Sequence, residues 1–105
     1  MKTDFTDRLP EDWEPLARVF TALGDPHRQR ILFLFEPGER LNITQIVAAM
    51  PLSRTAVVHH LRVLAEAGVL HGERQGNQTL YAVDSPRVRE ALGRVIEYLD
   101  WHGYP

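Results

Sequence analysis

The stretch that decides the fold is SRTAVVHHLRVLAEAGVL, residues 53–70. It begins with Ser53, a residue type that caps helix N-termini, and it contains Gly68, a residue type that ends helices. Between them the apolar residues recur at helical spacing, at about 100° per residue. The pattern predicts an amphipathic helix over residues 53–67. Its core face is formed by Val57, Leu61 and Leu64.

Three shorter helices are predicted upstream of this segment. Apolar spacing indicates a first helix over residues 11–23, and Asp25 followed by Pro26 is typical of the start of a second. Thr44 is predicted to cap a third helix over residues 45–50. The turn MPLS then leads into the helix that begins at residue 53.

Two strands and a last helix are predicted downstream. The segments VLHGER and TLYAVD, joined by QGN, favour a β-hairpin. Ser85 and Pro86 indicate the start of a helix that continues to about residue 101. We therefore expect a mainly α fold with a small β-hairpin, in the order α-α-α-α-β-β-α, which is a winged helix-turn-helix.

Length and composition narrow the class of protein. The chain has 105 residues, 44% of them hydrophobic and 25% charged, which suits one soluble globular domain. No apolar run approaches the roughly 20 residues of a membrane helix, and the first residues show no secretory signal. The absence of cysteine excludes disulfides, thiolate ligands and cysteine nucleophiles. We expect a cytoplasmic protein.

The side of the central helix opposite its core face is polar and basic. Arginine there can bond guanine edges or phosphates, threonine can bond either, and an exposed valine can contact a thymine methyl. The alternative is an ordinary solvated face, but a position after a helix-turn and before a hairpin favours the major groove. The expected DNA contacts are Ser53, Arg54, Thr55, Val58, His59 and Arg62, with Arg74, Gln75, Asn77 and Gln78 at the hairpin tip.

Net charge is −2, which argues mildly against a nucleic-acid partner when it is averaged over the chain. The distribution is uneven, however. Residues 1–20 are acidic, whereas residues 53–78 carry three arginines against two glutamates. The charge around the predicted DNA contacts is therefore slightly positive.

Three stretches resemble the ArsR/SmtB family of winged helix-turn-helix repressors: FTALGDPHRQRILFLF, SRTAVVHHLRVLAEAGVL and GERQGNQTLYAVD. They follow one another at the family's spacing, and the resemblance covers residues 13–101. It implies a homodimeric repressor that binds a palindromic operator on double-stranded DNA, with residues 53–67 as the recognition helix. A small-molecule effector of unknown identity is a further expected partner, and a membrane is not.

Within a single domain of residues 1–105 we expect four functional parts. They are a flexible arm over 1–10, the helix-turn-helix over 44–67, the wing over 69–84 and a dimerisation helix over 86–102. Along that last helix, Val88, Leu92, Val95, Leu99 and His102 repeat at spacings of four and three, as in a helix pair. Packing against the protein's own core is the alternative. The resemblance adds Trp13, Leu16 and Phe20 to the expected interface.

The positions where family members bind metals carry other residue types here. Asn42 and Thr44 stand at the cysteine positions, and Ser85, Arg87, Tyr98 and Trp101 at the other ligand positions. His59 and His60 lie about 100° apart around the helix and cannot chelate one ion together. We expect His59 to face outward and His60 to pack in the core. No metal and no cofactor are expected, and a non-standard metal site at Asp100 and His102 stays an alternative.

The two other classes of function are a protein-interaction module and an enzyme. A winged helix can serve as a protein-interaction module without autonomous DNA binding, and the net charge permits this. An enzyme is not expected, because the chain shows no glycine-rich phosphate loop and no set of nucleophile, base and acid.

Overall fold

The computed structural model describes residues 1–105, and it contains five α-helices and one small sheet. The helices are α1 (Glu14–Leu23), α2 (Pro26–Phe33), α3 (Ile43–Ala49), α4 (Arg54–Glu66) and α5 (Ser85–His102). The strands are β1 (Leu41–Asn42), β2 (Leu70–Gln75) and β3 (Gln78–Val83). A short 3₁₀ helix, Glu11–Trp13, precedes α1. The predicted mainly α fold with a winged helix-turn-helix is confirmed.

The sheet has three antiparallel strands in the order β1-β3-β2. β2 and β3 form the predicted hairpin, with Gln75 opposite Gln78 at its end. Gly76 in the turn has a φ of 63°, a left-handed conformation that glycine adopts without steric cost. β1 was not predicted, because two residues are too short to show the alternation of a strand. It joins the wing to the start of α3.

Side-chain caps start two helices where the sequence predicted them. The carboxylate of Asp25 accepts hydrogen bonds from the backbone N–H groups of His27 and Arg28 at the start of α2. The hydroxyl of Ser53 accepts one from the N–H of Ala56 at the start of α4, at 3.1 Å. Each cap satisfies donors that have no partner inside the helix.

The prediction that Thr44 caps α3 is wrong. Asn42 is the cap: its side-chain oxygen accepts from the N–H of Gln45 at 2.8 Å, and the Gln45 side chain accepts from the N–H of Asn42 at 2.8 Å. This reciprocal pair is a capping box, which satisfies two free donors at once. Thr44 lies within the first turn of α3 and is exposed.

The core lies between the helices and is centred on α4. Thirteen apolar residues are buried in it, and they come from every α-helix and from β2. α4 contributes Val57, Leu61 and Leu64, each at most 1% exposed. These three residues fix the rotation of α4 about its own axis, and the opposite side of the helix is thereby directed to solvent.

α5 packs only lightly on this core and gives the molecule an elongated shape. Ala91 is its one buried residue. The radius of gyration is 16.2 Å, whereas a compact domain of about 100 residues has a value near 13 Å. None of the five helices is long and apolar enough to cross a membrane.

Candidate nucleic-acid interface

The outward face of α4 brings the predicted groove-facing residues together. Arg54, Thr55, His59 and Arg62 are exposed, and Val58 between them is half-buried. All five line one shallow surface depression. We call this set the outward face of α4. It presents two guanidinium groups, a hydroxyl, an imidazole and an apolar side chain within three turns of helix.

His59 and His60 point to different surroundings, as their helical positions predicted. His59 is exposed, whereas His60 is 9% exposed. The Nη1 of Arg28 donates to the Nδ1 of His60 at 3.3 Å, so the buried ring has a hydrogen-bond partner. The prediction that His60 packs in the core is confirmed.

The side chain of Arg28, on α2, forms hydrogen bonds to residues of α1 and α4. Its Nε donates to the carbonyl of Ala22 at 2.6 Å, and its Nη2 donates to the carbonyl of Thr21 at 3.2 Å. Both carbonyls lie at the end of α1, and Nη1 of the same guanidinium reaches His60 on α4. The sequence did not reveal this role, because all three partners of the Arg28 side chain lie at least six residues away.

Two ionisable groups at this junction have shifted pKa values. Burial lowers the pKa of His60, and the charge of Arg28 lowers it further, while Asp25 acts in the opposite direction. Desolvation raises the pKa of Asp25, but backbone hydrogen bonds from Arg28 and His27 outweigh it and hold that pKa below its usual value. His60 is therefore neutral, and able to accept from Arg28, at neutral pH.

The tip of the wing is polar and lies beside the start of α4. The four side chains predicted there are all exposed: Arg74, Gln75, Asn77 and Gln78. One cleft is lined by Arg54 together with Arg74, Asn77 and Gln78, and Gln75 is not part of it. The structure thus brings the hairpin tip and the start of α4 to the same surface.

Asn42 and Thr44 also line this cleft, and the sequence analysis missed both as interface residues. The Nδ2 of Asn42 donates to the Oε1 of Gln78 at 3.0 Å, which fixes the wing against the cap of α3. The Asn-x-x-Gln spacing of a capping box was visible in the sequence. The link to Gln78 was not, because it spans 36 residues.

The surface formed by α4 and the wing is locally basic. Arg54, Arg62 and Arg74 are exposed on it and take part in no ion pair. The nearby carboxylate of Glu73 is paired with Arg40 at 3.3 Å. The overall charge of −2 therefore does not describe this surface.

The predicted interface residues of α5 divide into two groups. Leu92 and Leu99 are about half exposed, whereas Val88 is half-buried and packs on the core. Ile96, which the repeat of four and three omitted, is 58% exposed and completes a stripe with the two leucines. We call Leu92, Ile96 and Leu99 the apolar stripe.

The first helix contributes less exposed surface than the sequence analysis expected. Leu16 is 5% exposed and belongs to the core of its own chain. Trp13 and Phe20 are half-buried and pack against that core. The resemblance that suggested these three residues did not distinguish a residue buried in the core from one exposed at the surface.

No group of three or more histidine, cysteine, aspartate or glutamate side chains in this chain is placed to hold an ion. Asp100 and His102 are exposed at the end of α5. The Nδ1 of His102 lies 3.0 Å from the carbonyl oxygen of Tyr98, and the two rings stack at 4.1 Å.

Comparison with known proteins agrees with this geometry. Residues 25–71 match the family model described as bacterial regulatory protein, arsR family. The chain is 30% identical to the HTH-type transcriptional regulator MJ1325 of Methanocaldococcus jannaschii over 87 residues, which is 83% of this chain and 98% of that protein. It is 26% identical to the transcriptional repressor SdpR of Bacillus subtilis, over 81% of this chain and 93% of that protein.

A solved structure shows the same fold. The homodimeric winged helix-turn-helix DNA-binding domain Mb0332 of Mycobacterium bovis aligns with a TM-score of 0.68 at 26% identity. The alignment covers 94% of this chain and 92% of that one. The family model and the relatives define a DNA-binding transcriptional regulator rather than an enzyme. The chain belongs to the ArsR family.

Proposed function

We propose that this protein is a homodimeric repressor that binds an inverted-repeat operator through α4 and the wing. The observation that carries the proposal is the outward face of α4, whose basic and hydrogen-bonding groups are held toward solvent by a fully buried opposite face. A helix of this width fits the major groove of B-DNA. SdpR is itself named a repressor, which supports the sign of regulation.

Each group on the outward face of α4 suits a feature of the groove. Arg54 and Arg62 suit guanine edges or phosphates, and Val58 suits a thymine methyl. Thr55 and His59 can bond a base edge or the backbone, and Ser53 offers its hydroxyl near the start of the helix. Arg54 stands at the first turn, where the positive end of the helix dipole also favours phosphate.

The wing supplies a second set of contacts. Arg74, Gln75, Asn77 and Gln78 suit the phosphate backbone or the adjacent minor groove. Because Arg54 borders the same cleft as the wing tip, one stretch of backbone can lie across both elements. Contacts of this kind position the protein without reading sequence.

The dimer is proposed to form through the apolar stripe of α5. An exposed row of large apolar side chains on the outermost helix is typical of an interface, and the Mb0332 domain is described as homodimeric. In this proposal the stripe is flanked by Trp13, Phe20, Val88 and Val95, whereas Leu16 belongs to the core of its own chain. The proposed parts are the arm over 1–10, the helix-turn-helix over 44–67, the wing over 69–84 and the dimerisation helix over 86–102.

The signal that releases the operator is proposed not to be a metal at the family's usual positions. Asparagine, threonine, arginine and tryptophan replace ligand types there, and these side chains are poor ligands for zinc or nickel. A site at Asp100 and His102 would need the same pair from a second chain to reach four ligands.

The test is the salt dependence of DNA binding. We expect affinity for a labelled duplex to fall steeply between about 50 and 200 mM salt, because phosphate contacts release counterions. Arg54→Ala should weaken binding and reduce the logarithmic slope by about one. Arg18→Ala is the matched control, since it removes an exposed arginine from α1.

Two results would contradict the proposal. Equal losses in Arg54→Ala and Arg18→Ala would show that only total charge matters. Absence of salt-dependent binding would favour a winged helix that serves as a protein-interaction module.

A further inference from the structure

We propose that a cleft between the 3₁₀ helix and the end of α5 binds an organic cation of the quaternary ammonium class. Its volume is 650 Å³, within the range of small-molecule sites. We call it the aromatic cleft. Its lining includes Trp13, Arg94, Glu97, Tyr98, Asp100 and Trp101.

The aromatic rings of this cleft include one indole that packs on no other ring. Trp13 and Tyr98 meet edge to face with their centroids 5.5 Å apart, and His102 stacks on the other ring at 4.1 Å. Trp101 is 87% exposed, so most of its indole has no packing partner in the chain. The faces of tryptophan and tyrosine rings attract cations, and cages of such rings recognise quaternary ammonium groups.

The charges that line the aromatic cleft select for a cation. The guanidinium of Arg94 is already paired with Asp12 at 2.6 Å. Glu97 forms a second, longer ion pair with that guanidinium, at 3.9 Å, and Asp100 takes part in no ion pair. The lining thus carries two carboxylates against one guanidinium that is also paired with Asp12, and an anionic ligand would meet their repulsion.

The aromatic cleft borders the proposed dimer contact. Trp13 flanks the apolar stripe and Asp100 lies one turn from Ile96, whereas Arg94 and Trp101 lie on the opposite side of α5. The part of the cleft at Arg94 and Trp101 is therefore turned away from a partner that covers Leu92, Ile96 and Leu99. The inference does not depend on the proposed DNA contacts.

Intrinsic fluorescence provides a direct test, because the chain has two tryptophans and both line the aromatic cleft. Choline is titrated into the full chain without DNA, and its neutral isostere 3,3-dimethyl-1-butanol is titrated in parallel. We expect a saturable change with choline and none with the alcohol. Because no DNA is present, failure here does not bear on DNA binding.

Variants locate the site. Trp101→Leu should weaken choline binding by about tenfold, since cation–π attraction is lost from an exposed side chain that the fold does not need. The double variant with Glu97→Gln and Asp100→Asn should weaken it similarly. Glu66→Gln, an exposed acid on α4, is the matched control and should bind as the wild type does.

Three results would overturn the proposal. The first is an equal response to choline and to the alcohol, which indicates apolar burial without cation selectivity. The second is unchanged affinity in the acidic double variant. The third is the absence of any saturable change in the folded wild-type protein.

Discussion

At the scale of single residues, the side chain of Arg28 links His60 on α4 to the end of α1. The imidazole of His60 accepts from a guanidinium that also binds two carbonyls at the end of α1. A protonated His60 cannot accept this bond and would place a second positive charge against Arg28.

This contact makes stability depend on pH. Because the pKa of His60 is lowered in the folded chain, the unfolded chain binds the proton more readily. The contribution of His60 to the free energy of unfolding is fully present above the ordinary histidine pKa of about 6.5, and it is lost as pH falls below that value. The charged and titratable groups that act on His60 are Asp25, His27, Arg28 and His59.

We expect His60→Gln to flatten the decline in thermal stability between about pH 7 and pH 5. His59→Gln, which alters an exposed neighbour, should keep the wild-type decline. The pKa of Asp25 is also lowered, so its contribution to the free energy of unfolding is lost only at a lower pH, below the usual carboxyl pKa of 3.8. Identical pH profiles for the wild type and His60→Gln would contradict this assignment.

At the scale of elements, Asn42 performs two tasks at the junction of α3 and the wing. Its oxygen caps α3, and its nitrogen binds Gln78 on β3. One side chain therefore connects the start of α3 to the hairpin. Contacts from both elements reach the same cleft beside Arg54.

Two substitutions at this position separate the tasks. Asn42→Ala should lower the free energy of unfolding by about 0.5–2 kcal/mol, because the helix loses its cap. Asn42→Asp keeps an oxygen acceptor for the cap but loses the donor to Gln78, so it should retain most of the stability and weaken DNA binding. Chemical denaturation and DNA titration measure the two effects. Equal destabilisation by both variants would contradict the dual role.

Helix starts show which parts of the fold were predictable. The caps at Asp25 and Ser53 were read correctly because each is a local contact within three residues. The cap of α3 was predicted wrongly as Thr44, although the Asn-x-x-Gln spacing of the capping box at Asn42 was visible in the sequence. Both residue types cap helices, and the pairing of β1 with β3, which places Asn42 at the end of a strand, is not a local pattern.

The predicted surfaces also divide into those that local sequence determines and those that depend on tertiary packing. The outward face of α4 followed from helical periodicity, because the buried opposite side, with Val57, Leu61 and Leu64, fixes the rotation of that helix. Ile96 was missed on α5, where the light packing of Ala91 on the core leaves the rotation undetermined by sequence. The contacts of Arg28 depend on how separate helices meet.

At the scale of the whole molecule, the elongated shape favours association. Only 14 of the 105 residues are buried, and α5 extends a structure that is 51 Å long and about half as wide. Small domains gain stability from the extra burial that a partner provides. The apolar stripe on α5 is the surface that a second copy would cover.

Leu92→Arg should yield monomers and weaken operator binding severely, because a charge would be buried at the two-fold contact. Trp101→Arg is the matched control, since it introduces the same charge on the other side of α5. Sedimentation velocity distinguishes the two outcomes. An intact dimer of Leu92→Arg would show that the interface lies elsewhere on the chain.

The central claim is that two copies of α4 read one inverted repeat, and selection from random duplex DNA tests it most directly. The purified wild-type protein is used at about 150 mM salt, near physiological ionic strength. We expect one enriched site with two symmetric halves about one helical turn apart, roughly 10 base pairs from centre to centre. Enrichment of no sequence, or of a single site without a repeat, by a folded protein would contradict the account.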